Sequence, residues 1–192
     1  MPRLILASTS PYRRALLARL GVEFEVLPSG VSEAARPQEP PPARAQRLAL
    51  EKARAIAEQH PSAFVVGSDQ VAACGGEVLD KPGDASRCRA QLRTLSARTA
   101  QFHTACALLQ GAANLQQEHL DTTTVVLRAL SAAEIERYVA REQPFDCAGG
   151  FKAEGLGIAL FERIQSEDPT ALIGLPLIWL AAALRAAGFA VP

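Results

Sequence analysis

The stretch RLILASTSPYRRALLARLG, residues 3–21, decides the fold class of this chain. Residues 3–7, of which 4–7 are apolar, are typical of a buried strand, and this strand leads directly into signals for a helix start. Ser10 suits the N-cap, Pro11 suits the first helical position, and Gly21 suits the C-cap. A buried strand that passes directly into a capped helix is typical of α/β proteins, so we expect an α/β fold.

This first helix, residues 10–20, carries a cation among leucines. Arg13 begins an i, i+3, i+4, i+7 series that three leucines continue, so it shares the apolar face of the helix. Lys52 lies in the same way on the apolar face of a second predicted helix, residues 43–59. Cations that point inward need anions, and one carboxylate cannot neutralise these two residues and Lys81 together. The pattern therefore predicts a phosphate ligand.

The junction in front of the first helix suits an anion as well. A helix N-terminus presents free backbone N–H groups and the positive end of the helix dipole. Ser8 and Ser10 add hydroxyl donors, and the planar guanidinium of Arg13 matches phosphate oxygens. For Arg13 alone, a capped helix whose arginine reaches the solvent is an equally good interpretation.

A carboxylate follows the next apolar strand, which is predicted over residues 63–67. Asp69 comes just past this strand, where α/β proteins place their sites. It can bind a divalent metal or accept a proton from water. Lys81 follows a predicted hairpin and can fold back beside Asp69. Plain turn roles for Asp69 and for the Lys81-Pro82 pair are the alternatives.

Three further charged residues are candidates for the site. Glu33 lies in a proline-rich loop over residues 28–42, and a second acid near Asp69 would complete a magnesium site. Lys152 offers another phosphate contact, and Glu154 can read the edge of a nucleotide base. Solvated loop and turn charges are the alternative for all three, and for Glu33 the sequence alone favours it.

The rest of the chain alternates strands with helices and has no internal repeat. A Ser-x-x-Glu capping box opens one helix at Ser131. The other predicted helices cover residues 84–95 and 176–187, and the capping-box helix reaches residue 142. Strands are predicted over residues 23–27, 99–109, 115–127 and 157–163, with the hairpin over 71–78 turning at the Gly75-Gly76 pair. We expect one domain, residues 1–192, with a mixed sheet.

Composition limits the partners. The 192 residues include 20 basic and 20 acidic side chains, which argues against a nucleic-acid partner held by bulk charge. The longest apolar stretch, residues 171–184, is too short to span a bilayer, so no membrane partner is expected. The four cysteines have no CxxC spacing and are expected to be buried thiols. With no signal peptide recognised, a cytoplasmic location is expected.

The ordered set of motifs resembles the Maf family of nucleoside triphosphate pyrophosphatases. The matching residues are Ser8, Ser10, Pro11 and Arg13, then Glu33, Lys52, Asp69 and Lys81-Pro82. The resemblance continues through residues 148–155 and 168–176, so it covers nearly the whole chain. Two positions depart from the family pattern: Ser32 replaces an acid before Glu33, and Asp80 replaces a glycine before Lys81.

The resemblance implies an inosine-triphosphate-pyrophosphatase-like fold, with a curved mixed sheet flanked by helices and a cleft between two lobes. It implies hydrolysis of the α–β phosphoanhydride, with Asp69 as the general base. Glu33 and Asp69 would hold a divalent cation, Mg²⁺ or Mn²⁺, and Ser8 would donate to a phosphate oxygen. Arg13, Lys52 and Lys81 would bind the triphosphate and stabilise charge in the transition state. A homodimer is possible.

Three residues point to one branch of that family. Most members carry Arg at the position of Tyr12 and Asp-Thr at the position of Asp69-Gln70, and those members act on dTTP and UTP. Tyr12, Gln70 and Glu154 are instead similar to the 7-methyl-GTP pyrophosphatase branch. The alternatives are a pyrophosphatase for dTTP, UTP or another non-canonical nucleotide, and a nucleotide-binding regulator of septum formation without turnover.

The chemistry of the base agrees with this branch. Methylation at N7 gives guanine a delocalised positive charge, which an aromatic face such as that of Tyr12 attracts by about 0.5–2 kcal/mol. Guanine also presents adjacent N1–H and N2–H₂ donors, and a carboxylate such as that of Glu154 can accept both. A pyrimidine offers no such pair of donors.

Overall fold

Residues 2–192 are described by a computed structural model that contains seven strands and five α-helices. The strands are β1 (Leu4–Leu6), β2 (Glu25–Val26), β3 (Phe64–Cys74), β4 (Glu77–Leu79), β5 (Thr99–Gln110), β6 (Leu115–Leu127) and β7 (Phe161–Gln165). The helices are α1 (Pro11–Ala18), α2 (Pro41–Ala57), α3 (Ala85–Leu95), α4 (Ala132–Glu142) and α5 (Leu177–Ala186). Three short 3₁₀ turns lie at Ala148–Gly150, Leu156–Leu160 and Ala171–Ile173.

The strands form one mixed sheet in the order β2-β1-β3-β5-β6-β7, with β4 paired to β3. Strand β1 is parallel to β2 and to β3, whereas β4 is antiparallel to β3 and β7 is antiparallel to β6. Parallel strands need a crossover and antiparallel strands can be joined by a short turn, so both types of connection occur. The predicted α/β fold with a mixed sheet flanked by helices is confirmed.

The chain divides into two compact units. The first unit comprises the chain up to Gln70 together with His103–Asp121 and Asp168–Pro192. The second unit comprises Val71–Phe102 and Thr122–Glu167. The expectation of a single domain over residues 1–192 stays a prediction, and so do the cleft and the curvature of the sheet.

Helices cover both faces of the strands in the first unit. Successive residues of a strand point to opposite faces, so Val65 and Val66 of β3 enter different clusters. One cluster includes residues of α2: Ile5, Ala53, Ile56, Val65 and Ala107. The other includes residues of α1 and α5: Leu6, Leu17, Val66, Leu108 and Leu180. This layering places α2 on the face from which Asp69 projects.

In the second unit, α3 packs against α4. The capping box predicted at Ser131 is present, because Ser131 Oγ accepts from the Glu134 N–H at 3.3 Å and a Glu134 carboxylate oxygen accepts from the Ser131 N–H at 2.8 Å. The rings of Phe102 and Phe151 meet with centroids 5.2 Å apart. The buried residues of the two helices are Cys88, Leu92, Leu95, Ile135, Tyr138 and Val139.

The four cysteines are free thiols. Cys74, Cys88 and Cys106 are buried and Cys147 is half-buried. Burial raises the pKa of the Cys88 thiol to about 11, so this thiol stays protonated at neutral pH. The interpretation of these side chains as packed apolar groups is therefore confirmed for three of them.

Two predicted strand boundaries are wrong. The strand predicted over residues 63–67 continues to Cys74, so Asp69 lies inside β3 and not past its end. The strand predicted over residues 157–163 begins with the 3₁₀ turn Leu156–Leu160, and only Phe161–Gln165 is extended. In that turn Gly157 and Leu160 are the buried residues, and a spacing of three matches the three residues per turn of a 3₁₀ helix.

Candidate active site

A buried lysine holds two carboxylates in the first unit. Lys52 is 5% exposed. Its ammonium donates to Asp69 Oδ1 at 2.6 Å and also to Glu33 Oε1. The prediction that Lys52 points inward is confirmed, but the anions that meet it in the structure are two acids of this chain. Glu33 and Asp69, which come from separate parts of the sequence, are thereby brought together.

A glycine lets the helix that carries Lys52 approach the strand that carries Asp69. A Cβ atom on Gly67 would lie 2.7 Å from the Ala53 amide nitrogen and 2.8 Å from Ala53 Cβ. These separations are too short for any side chain, so α2 packs directly on the backbone of β3. Gly67 and Asp69 are two residues apart in a strand and share this face, which places Asp69 opposite Lys52.

Asp69 sits in the middle of β3, yet beyond the end of the neighbouring parallel strand. Strand β1 pairs with β3 only as far as Leu6 opposite Val66, after which the chain turns toward α1. Asp69 is 6% exposed. Its Oδ1 is bound to Lys52, and no partner for Oδ2 is found among residues 2–192. This second oxygen is available to a water molecule, a metal ion or a substrate.

The loop between β1 and α1 is organised by two serines. Ser10 caps α1, since its Oγ accepts from the Arg13 N–H at 3.4 Å. Ser8 is buried, and its Oγ accepts from the Ser10 N–H at 3.1 Å. No acceptor for the Ser8 hydroxyl hydrogen is found within the described part of the chain, so that hydrogen can be donated to a ligand.

Arg13 is anchored through one nitrogen. Its Nε donates to the carbonyl oxygen of Gly174 at 3.0 Å, and the Oγ of buried Ser68 donates to the same oxygen at 2.9 Å. Within residues 2–192 the two terminal nitrogens of Arg13 have no acceptor. A guanidinium fixed at Nε in this way presents its terminal N–H groups as a fork, which suits phosphate oxygens.

The amide of Gln70 is oriented by the backbone. Its Nε2 donates to the carbonyl oxygens of Ala171 and Leu172, both at 3.0 Å, and to Thr104 Oγ1 at 2.9 Å. Carbonyl oxygens only accept, so the nitrogen must face them and the side-chain oxygen must face away. The side-chain oxygen of Gln70 therefore lies on the side away from these carbonyls, where it can accept a hydrogen bond.

The remaining predicted site residues are divided between the units. Tyr12 is half-buried in the first turn of α1. Lys81, Lys152 and Glu154 belong to the second unit, where Lys81 and Glu154 are exposed. Lys152 lies 4.0 Å from Glu142 through its ammonium, and its backbone N–H donates to the Tyr138 hydroxyl at 3.0 Å. The placement of Lys81 beside Asp69 stays a prediction.

A model of the family described as "Maf-like protein" matches residues 3–187. The chain belongs to the Maf-like proteins. It is 56% identical over 192 residues, 100% of both chains, to a protein of Xanthomonas axonopodis pv. citri (strain 306) named 7-methyl-GTP pyrophosphatase. A protein of Cupriavidus pinatubonensis with the same name is 50% identical over 98% of this chain and 95% of its own length. The solved Ham1 protein of Staphylococcus aureus has 14% identity and a TM-score of 0.49, covering 65% of this chain and 71% of that one.

Two carboxylates of this Maf-like protein can contribute to a metal site. Glu33 and Asp69 both contact the Lys52 ammonium, so their oxygens lie close together. No group of three or more His, Cys, Asp or Glu side chains that could hold a metal occurs among residues 2–192. Mg²⁺ commonly binds one or two carboxylates and takes its other ligands from water and substrate phosphates. The donor set fits a metal that arrives with the nucleotide, and it does not fit an all-protein metal site.

Sequence reasoning missed the residues that support this site. Gly67, Ser68 and Gly174 place Asp69 and Arg13 without carrying chemistry themselves. Gly67 had a readable signal, because a glycine inside an apolar strand often marks a close approach of another backbone. Gly174 has φ of 128°, a value that L side chains rarely adopt, but only the folded chain shows that its carbonyl meets Arg13. Among residues 2–192, no helix is long and apolar enough to cross a membrane.

Proposed function

We propose that this Maf-like protein is a nucleoside triphosphate pyrophosphatase that acts on 7-methyl-GTP and releases 7-methyl-GMP and pyrophosphate. The observation that carries the proposal is the contact of Lys52 with both Glu33 and Asp69, which assembles the cation and the two acids that this hydrolysis needs. Support for the substrate comes from the relatives of that name, which are 50–56% identical and match nearly their full length.

In the proposed reaction, water attacks the α-phosphorus, the bond between this phosphorus and the α–β bridging oxygen breaks, and the bridging oxygen leaves with pyrophosphate. Asp69 orients the water and takes its proton, using the oxygen that Lys52 does not occupy. Lys52 offsets negative charge that moves onto the phosphoryl oxygens. Arg13 binds phosphate oxygens through its terminal nitrogens, and Ser8 donates a hydroxyl hydrogen.

Glu33 and Asp69 would hold the divalent cation, Mg²⁺ or Mn²⁺. When bound, this cation neutralises part of the triphosphate charge and makes the leaving pyrophosphate a better leaving group. Lys81 and Lys152 are proposed as further phosphate ligands. Free cysteines fit a cytoplasmic, reducing location, and this compartment is part of the proposal.

The choice of base is assigned to Tyr12, Gln70 and Glu154. The aromatic ring of Tyr12 favours the cationic methylated purine. The acceptor oxygen of Gln70 and the carboxylate of Glu154 suit the N–H donors of guanine. Glu154→Gln replaces one acceptor with a donor that would face an N–H donor of guanine, so a selective loss in kcat/KM for 7-methyl-GTP is expected.

A panel of nucleotides tests the proposal. Purified protein with Mg²⁺ is incubated with 7-methyl-GTP, GTP, dTTP, UTP and CTP, and both products are identified. We expect the highest kcat/KM for 7-methyl-GTP, a selective loss in Glu154→Gln, and a smaller preference for methylated over plain GTP in Tyr12→Ala. A protein that prefers dTTP or UTP would belong to the other branch.

Asp69→Asn separates an enzyme from a regulator that only binds nucleotide. The substitution keeps the shape of the side chain, and removing a general base costs about 10²–10⁴-fold in rate. Melting curves must show that the variant is folded. If the wild type binds 7-methyl-GTP and releases no pyrophosphate, the protein is a nucleotide-binding regulator and the proposal is wrong.

A further inference from the structure

The loop that carries Glu33 is fastened along α2 by arginines. Between β2 and α2 the chain has no regular structure, and residues 32–38 are exposed. Arg44 donates to the carbonyl oxygen of Glu33 at 2.9 Å, and Arg47 donates to the carbonyl oxygen of Ala34 at 3.2 Å. Both arginines belong to α2, so the loop is bound to the same helix that carries Lys52.

Arg47 is the centre of this attachment. Its Nε and one terminal nitrogen donate to the two carboxylate oxygens of Glu39, at 2.5 and 2.7 Å, in a bidentate pair. Its other terminal nitrogen donates to Glu51 at 3.0 Å. The side chains of Arg47 and Glu39 are only 13% and 10% exposed. A nearly buried bidentate pair has a fixed geometry, unlike a surface ion pair.

The attachment acts on Glu33 through the backbone. One guanidinium holds the carboxylate of Glu39, near the end of the loop, and the carbonyl of Ala34, next to Glu33. The Glu33 carboxylate is itself half exposed, so its own burial does little to hold it. The loop backbone therefore helps, together with the bond from Lys52, to keep the Glu33 carboxylate within reach of a metal.

We propose that Arg47 is a positioning residue that holds Glu33 in place for the metal-assisted step, acting through Glu39 and the Ala34 carbonyl. This inference rests on the proposed function. Within residues 2–192 the bonds of Arg47 go to Glu39, Glu51 and the Ala34 carbonyl, so its proposed action on Glu33 is indirect. Groups that fix a metal ligand typically change metal affinity or activity by about 10–100-fold when they are removed.

The test compares Arg47→Met with Arg54→Met. Arg54 lies on the same helix and bonds to Gln116, away from the loop, so it controls for the loss of a helical arginine. We expect Arg47→Met to raise the Mg²⁺ concentration for half-maximal hydrolysis by about tenfold or more, with the nucleotide KM at saturating Mg²⁺ near that of the wild type. Arg47→Lys keeps the charge but loses the fork, so it should restore only part of the effect.

Hydrogen exchange supplies a measurement that needs no turnover. Amides of residues 33–39 should exchange faster in Arg47→Met than in the wild type and in Arg54→Met. If the wild type hydrolyses no nucleotide, the proposed function fails, while exchange still reports whether Arg47 fixes the loop. A raised nucleotide KM with unchanged Mg²⁺ dependence would show that Arg47 binds substrate. The inference is overturned by that result, by unchanged exchange of the amides of residues 33–39, or by a lower melting temperature with normal Mg²⁺ dependence.

Discussion

Replacing Lys52 with methionine should destabilise this protein through Asp69. The methionine keeps an unbranched apolar stem in the space of the lysine and removes only the ammonium. Glu33 is 56% exposed at its side chain and can turn to the solvent. The Asp69 side chain is 9% exposed and is held in β3, so its carboxylate loses its cation at a position where water replaces the ammonium poorly.

The size of the effect follows from that burial. Removing one partner of a buried ion pair typically costs about 3–5 kcal/mol, because the other charge stays buried and uncompensated. For a chain of 150–250 residues, each kcal/mol corresponds to roughly 2–4 °C in Tm. Lys52→Met should therefore melt about 6–20 °C below the wild type at neutral pH. Arg54→Met, which loses an exposed cation of the same helix, should stay within about 0.5 kcal/mol of the wild type.

A double-mutant cycle identifies the source of the loss. Urea unfolding is measured for the wild type, Lys52→Met, Asp69→Asn and the double variant. The double variant should recover most of the stability, since an asparagine leaves no buried charge behind. Asp69→Asn alone should cost less than Lys52→Met, because Glu33 still pairs with the ammonium.

Two results would refute this reasoning. A Lys52→Met variant as stable as Arg54→Met would show that Asp69 does not depend on the ammonium. A double variant no more stable than Lys52→Met would show that the loss comes from packing around the lysine stem. In either case the contact between Lys52 and Asp69 would not be what keeps the carboxylate buried.

Three more predictions follow from the same structure. Gly67→Ala should cost at least about 1–3 kcal/mol in urea unfolding, since the new methyl group would meet Ala53 at 2.7–2.8 Å; a variant as stable as the wild type would contradict the close packing of α2 on β3. Hydrogen bonds from Ser131 hold the pKa of Glu134 at about 2, below its ordinary 4.5. The stability that ionised Glu134 gives to the folded state is therefore complete above pH 4.5 and is lost as the pH falls toward 2. The stability gap between wild type and Glu134→Gln should accordingly narrow over that window, and a constant gap would argue against the capping box. Glu33→Gln should bind metal-free 7-methyl-GTP more tightly than the wild type does, because it removes one negative charge beside Lys52; calorimetry in EDTA measures this affinity. The same variant should hydrolyse 7-methyl-GTP more slowly with Mg²⁺, as measured by pyrophosphate release. Weaker binding in EDTA would show that the charge of Glu33 does not repel the triphosphate.

Features encoded by adjacent residues could be predicted from the sequence. The cap at Ser10 and the capping box at Ser131 are confirmed, and so is the hairpin that turns at Gly75-Gly76. Each depends on a few neighbouring side chains and on local backbone geometry. The inward direction of Lys52 was also readable, because helical periodicity alone places it on the buried face of α2.

Features that depend on distant residues could not be read in the same way. The polar run Gly67-Ser68-Asp69 looks like a strand end, and β3 continues through it. Contacts with distant parts of the chain accommodate all three residues within the strand. Gly67 lets α2 approach β3, Ser68 Oγ donates to the Ala105 and Gly174 carbonyls, and Asp69 accepts from Lys52. Strand propensity is easily overridden by such contacts, because it measures the fit to a partner surface.

The partners of Lys52 also change the argument for a phosphate ligand. The sequence suggested that too few acids were present, whereas the structure supplies two to one lysine, and the formal charge of the group Glu33, Lys52 and Asp69 is −1. A triphosphate is itself strongly anionic, so this group repels it unless another cation accompanies it. The fork of Arg13 can offset part of that charge, since its terminal nitrogens have no acceptor among residues 2–192. A divalent cation shared between the two acids and the phosphates would offset the rest. The charge balance around Lys52 therefore supports the metal that we propose.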